Sequence, residues 1–97
     1  MASNLEFVQF VCDQLGEQVS CRRMFGEYGL FAHGKYFACV CDNQLFFKAT
    51  PGGRMLLGSA LGSCQLEPPY PGAAPYLLVT QLEDRELLSR LLEATCR

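Results

Sequence analysis

The sequence predicts an α+β fold, an antiparallel β-meander sheet with N-terminal and C-terminal amphipathic helices and a short middle helix. Three observations lead there. Apolar residues recur at helical spacing at both ends of the chain, over residues 5–15 and 87–92. Between Val19 and Lys48 the period shortens to that of strands, in runs rich in Phe, Tyr, Val and Cys separated by two-residue turn pairs. Glycine and proline then punctuate the rest at positions where helices start and stop. With 97 residues, 49% of them hydrophobic and 19% charged, the chain holds one packed core and therefore one domain over residues 1–97.

The first helix is expected to start at Ser3. Ser3 and Glu6 match a capping box, in which the hydroxyl accepts from the N–H of residue 6 and the carboxylate reaches back. Leu5, Phe7, Val8, Val11, Cys12 and Leu15 then share one broad face, and Gly16 is the natural stop. Four strands follow, Val19–Phe25, Tyr28–Ala32, Lys35–Cys41 and Gln44–Lys48, joined at Gly26-Glu27, His33-Gly34 and Asp42-Asn43. On the third strand, alternation places Phe37, Cys39 and Cys41 on one side and Tyr36, Ala38 and Val40 on the other. Both sets are apolar, so both sheet faces need cover, from helices on both sides or from a helix and a partner subunit. A homodimer through the sheet is one such arrangement.

Thr50 as N-cap and Pro51 at the first helical position open a short helix running to Leu61 and ended by Gly62. The Pro-rich stretch Glu67–Pro75 turns the chain into a further strand at Tyr76–Thr80, with Pro68, Pro69 and Pro75 best placed at a sheet edge. From Asp84 the last helix places Leu87, Leu88, Leu91 and Leu92 on one face and Arg85, Glu86, Ser89, Arg90 and Glu93 on the other.

Composition narrows the functional classes. No run approaches the roughly eighteen apolar residues of a membrane-spanning helix, and no signal core follows a basic N-terminus, so a cytoplasmic location is expected. Six cysteines without a secretion signal read as reduced thiols. The net charge of −2 speaks against a general nucleic-acid binder, although residues 22–54 carry Arg22, Arg23, Lys35, Lys48 and Arg54 against only Glu27 and Asp42.

No catalytic grouping stands out, and the expectation is a protein that is not an enzyme and takes no cofactor. His33 is the lone histidine and falls in a hairpin turn. Cys39 and Cys41 share a strand face and could hold half of a metal site, yet no second paired motif completes it, so core packing is the preferred role and no metal is assigned. Thr50 to Arg54 precedes a helix but lacks the phosphate-loop lysine pattern. Arg22 and Arg23 are adjacent in a strand, so they point to opposite faces; the one facing the helices needs a carboxylate or backbone carbonyls, and Glu27 or Asp42 could supply the partner. Arg22, Arg23, Tyr28 and Lys48 are the candidate binding residues, the aromatic and basic components of a stacking surface.

The string Arg22-Arg23-Met24-Phe25-Gly26-Glu27-Tyr28-Gly29-Leu30-Phe31 resembles the signature of the N-terminal domain of the TfoX/Sxy regulators of natural competence in bacteria. Met24, Phe25, Gly26 and Gly29 carry the motif, and the likeness continues through Gly62, Pro75-Tyr76 and the last helix. Glu27 stands where that family often has a second glycine, and the regulators continue into a second, helical domain that this sequence does not show. The resemblance implies a cytoplasmic, bacterial protein-interaction module in transcription regulation, partnered by an activator of cyclic-AMP-receptor type. The alternative is a nucleic-acid-binding domain that uses the basic aromatic sheet surface.

Overall fold

A computed structural model describes residues 3–24 and 27–96. The chain runs α1 (Leu5–Leu15), β1 (Val19–Met24), β2 (Glu27–Ala32), β3 (Lys35–Cys41), β4 (Gln44–Phe47), α2 (Pro51–Leu61), β5 (Gln65–Glu67), β6 (Tyr76–Val79) and α3 (Arg85–Thr95). The six strands make one sheet in the order β1-β2-β3-β4-β6-β5, antiparallel throughout. The four-strand meander is as expected. Beyond it, β6 pairs with β4, and the short β5 closes the outer edge.

All three helices cover the same sheet face. Val8, Val11 and Leu15 of α1, Leu57 of α2, and Leu87, Leu88, Leu91 and Leu92 of α3 form one core with Leu30, Ala38, Val40, Leu45, Phe47, Leu77 and Val79. The alternative of helices on both sides is therefore overturned. On the other face Cys39, Cys41 and Phe46 form a second, smaller cluster with Tyr36, Tyr76 and Leu78 packed against it.

The strand alternation read for β3 is also corrected. The β2–β3 register shifts between Leu30 and Phe31, which pair with Ala38 and Tyr36 and leave Phe37 as the extra residue of a bulge. Phe37 therefore turns to the helix side, where its ring lies 5.3 Å from that of Phe47. Tyr36 takes the other face with Cys39 and Cys41.

Local chemistry accounts for most element ends. His33 (φ 53°) with Gly34 (φ 80°), and Asp42 (φ 52°) with Asn43 (φ 56°), have the paired positive φ values of type I′ hairpin turns. Thr50 caps α2 by accepting from the Gly53 N–H, and Gly62 ends it in the left-handed conformation (φ 83°). α1 differs from expectation, because its N-cap is Asn4, whose side chain accepts from the Glu6 N–H. Ser3 is drawn away to the sheet: its N–H donates to Glu27, and its hydroxyl accepts from the Asn43 N–H at 3.1 Å. Phe25 and Gly26, with the turn expected there, lie outside the described residues. Glu27, read as a turn residue, belongs to β2 and pairs with Met24.

Candidate ligand groove on the helix-free sheet face

The sheet face without helices carries a groove of about 710 Å³, within the size range of small-ligand pockets. Two features of the chain build it. Alternation along β2 and β3 turns Gly29, Tyr36, Cys39 and Cys41 to this side, and the connection between β5 and β6 supplies Pro69, Tyr70 and Pro71. Tyr36, Tyr70 and Tyr76 line it, and Tyr28, whose side chain packs against the helix-side core, borders it along β2.

Gly29 makes the room. A β-carbon there would collide with Met24 Sδ and stand 3.2 Å from the Tyr36 ring, so a side chain would fill the floor. Above it, the Tyr36 and Tyr76 hydroxyls share a hydrogen bond of 3.2 Å. Burial, reinforced by that bond, raises the Tyr36 phenol far above its ordinary range and keeps it neutral. Burial likewise raises the Cys39 thiol, and burial with the neighbouring Cys39 pushes Cys41 up to about 12.

At the other end stands Glu27. Its two carboxylate oxygens accept from the Ser3 N–H at 2.9 Å and the Asp42 N–H at 3.1 Å. Burial opposes its ionisation, but the hydrogen bonds from Ser3 and Asp42 outweigh burial and hold the carboxyl below its usual value. Glu27 thus pins the start of α1 and the β3–β4 turn to β2, and the expected role as an arginine partner gives way to this clamp.

The candidate binding residues divide between the faces. Arg22 pairs with Gly29 and lies on the groove side, its guanidinium 5.2 Å from the Phe31 ring centroid. Phe31 meets Tyr36 edge to face at 5.6 Å, and Lys48 Nζ stands 5.5 Å from the Tyr36 ring. Arg22, Phe31, Tyr36 and Lys48 therefore form one cation–aromatic row. Arg23 pairs with Tyr28 instead, 5.8 Å from its ring, at the exposed edge strand. Facing the helix side at that edge, it meets an aromatic ring rather than the carboxylate expected of a buried cation.

Sequence reasoning had separated the two arginines and named Tyr28 and Lys48. It missed Tyr70 and Tyr76, which reach the groove through the insertion of β6 beside β4. The one local signal for them was the prolines flanking Tyr70, which stiffen that connection into a wall.

An open antiparallel sheet, with helices on one side and an aromatic groove on the other, defines an α+β domain. The family profile described as the TfoX N-terminal domain matches residues 11–97, and the chain belongs to that family. It is also similar to an uncharacterized 12.7 kDa protein in the trpE 5′ region of Spirochaeta aurantia, 34% identical over 98 residues, covering 98% of this chain and 82% of that one.

Proposed function

We propose that this chain is a regulatory protein-interaction module that acts without catalysis in the cytoplasm and contacts a transcription activator of cyclic-AMP-receptor type. The family match along residues 11–97 carries the reading. Two observations support it. The helix-free face offers a groove and a cation–aromatic row without the clustered positive charge that a general nucleic-acid binder needs. The Cys12, Cys39, Cys41 and Cys96 thiols are all raised, which is the direction away from a nucleophilic thiolate. In addition, no helix is long and apolar enough to cross a membrane among the described residues.

The test is a pull-down and titration with a purified activator of this type, paired with transcription from a promoter that it controls. Saturable binding and altered transcript yield are expected, both weakened by the double substitution Arg22→Ala and Lys48→Ala. No binding at 100 μM activator, on the order of the weakest transient complexes, counts against the module. The same double variant also tests the alternative. If the chain instead binds duplex or single-stranded DNA, with affinity falling steeply as salt rises and lost in the variant, the nucleic-acid reading replaces the first.

A further inference from the structure

We propose that Cys39 and Cys41 are the two thiolate ligands of a site for one soft monovalent metal cation, Cu(I) in its chemistry, with the Met24 thioether as the third donor. The site is independent of the regulatory reading.

The sulfur geometry carries the argument. Residues two apart on a strand are separated by about 6.6 Å along the chain, twice the rise of about 3.3 Å. The Cys39 and Cys41 Sγ atoms stand only 4.0 Å apart, so the two side chains lean toward each other. Two thiolates on one metal at about 2.3 Å each are separated by about 3.8 Å in a tetrahedral site and about 4.0 Å in a trigonal one. The observed spacing fits the trigonal arrangement with little movement, whereas the S–S bond of about 2.05 Å that a disulfide needs lies far from it.

A third donor is at hand. Met24 lines the same groove, and its Sδ occupies the space where a Gly29 side chain would begin. Gly29 is the direct cross-strand partner of Cys39, so the missing side chain leaves the thioether the space on the Cys39 side of the groove. Two thiolates and a thioether form a soft set that favours Cu(I) over hard cations such as Mg²⁺ or Ca²⁺. Zinc would call for a fourth ligand, often nitrogen, and no group of three or more His, Cys, Asp or Glu is gathered among the described residues.

The surroundings suit a poorly hydrated ion. Cys39 is 6% and Cys41 5% exposed, on the groove floor beside Phe46. Tyr36 lines the same groove, its hydroxyl hydrogen-bonded to that of Tyr76 at 3.2 Å. On binding, three Cu–S bonds form, two from the thiolates and one from the Met24 thioether; the two S–H bonds break with both protons leaving to solvent, copper releases the ligands that carried it, and neither copper nor sulfur changes oxidation state.

The test titrates the reduced wild-type chain with Cu(I) under anaerobic conditions against a chromophoric Cu(I) chelator. One copper per chain should be withheld from the chelator. Cys39→Ser and Cys41→Ser should each weaken binding by more than about 100-fold, and Met24→Leu by about tenfold, since even second-shell changes reach such factors. Cys64→Ser should leave binding unchanged. X-ray absorption on the loaded wild-type chain, which depends on no variant folding, should show three sulfur neighbours. Full affinity in a folded double Cys39→Ser, Cys41→Ser variant, oxygen or nitrogen in the copper shell, or failure of the wild-type chain to hold copper against the chelator would each overturn the site.

Discussion

Glu27 shows how one side chain can join three elements. Its carboxylate accepts from backbone N–H groups 24 and 15 residues away in sequence. Glu27→Ala leaves both donors without that acceptor. A loss of about 1–2 kcal/mol is expected in urea unfolding, moderated because the site is partly open to water. The pH dependence has a definite sign. The carboxyl is held in the folded chain below its ordinary value of about 4.5, so its contribution is complete above about pH 4.5 and disappears as pH falls through the folded value. The stability gap between wild type and Glu27→Gln should accordingly be present at pH 7 and close in acid. If the gap stayed constant down to pH 2, the clamp would not be ionic.

Gly29 is the second residue whose role is set by space. Gly29→Val places a branched side chain against Met24 and the Tyr36 ring. Overpacking of this kind costs about 1–3 kcal/mol, and it should fill the groove as well. A chemical-denaturation midpoint equal to that of wild type would mean that Met24 and Tyr36 can move aside freely.

Among the elements, α2 was readable end to end because its signals are local. Thr50, Pro51 and Gly62 act within the helix they delimit, and the structure returns the helix at the expected bounds. Gly62→Ala forces an L side chain into the left-handed conformation and should cost about 1–2 kcal/mol by thermal melting. α1 was readable in its face but not in its cap. Ser3-to-Glu6 is a good local capping pattern, yet Ser3 makes its hydrogen bonds to Glu27 and Asn43, and Asn4 takes over the end of the helix. Asn4→Ala should therefore destabilise by about 1 kcal/mol. An Asn4→Ala variant as stable as wild type would return the cap to Ser3.

For the whole molecule, placing every helix on one side leaves stability resting on one large core. Leu88 is fully buried there with Leu91, Leu30 and Phe47. Leu88→Ala is expected to cost about 2–5 kcal/mol, enough to unfold much of a marginal domain of this size at moderate temperature; circular dichroism melts measure it. The opposite face carries only a small apolar cluster around Cys39, Cys41 and Phe46 among the described residues, with the Pro69–Pro71 wall and the cation–aromatic row beside it. This is where the domain has room for a partner or ligand.

The sequence by itself determined the class of fold, the three helices, the four-strand meander with its turn pairs at His33-Gly34 and Asp42-Asn43, and the separation of Arg22 from Arg23, because periodicity, turn residues and caps act over a few residues. Tertiary structure alone decided which face each apolar set serves. The bulge at Phe37 exchanged it with Tyr36, since filling the core beside Phe47 outweighed simple alternation. Long-range pairing set β6 between β4 and β5 and so brought Tyr76 to Tyr36. The spacing of Cys39 and Cys41 set both on one face, but rotamers brought their sulfurs to 4.0 Å.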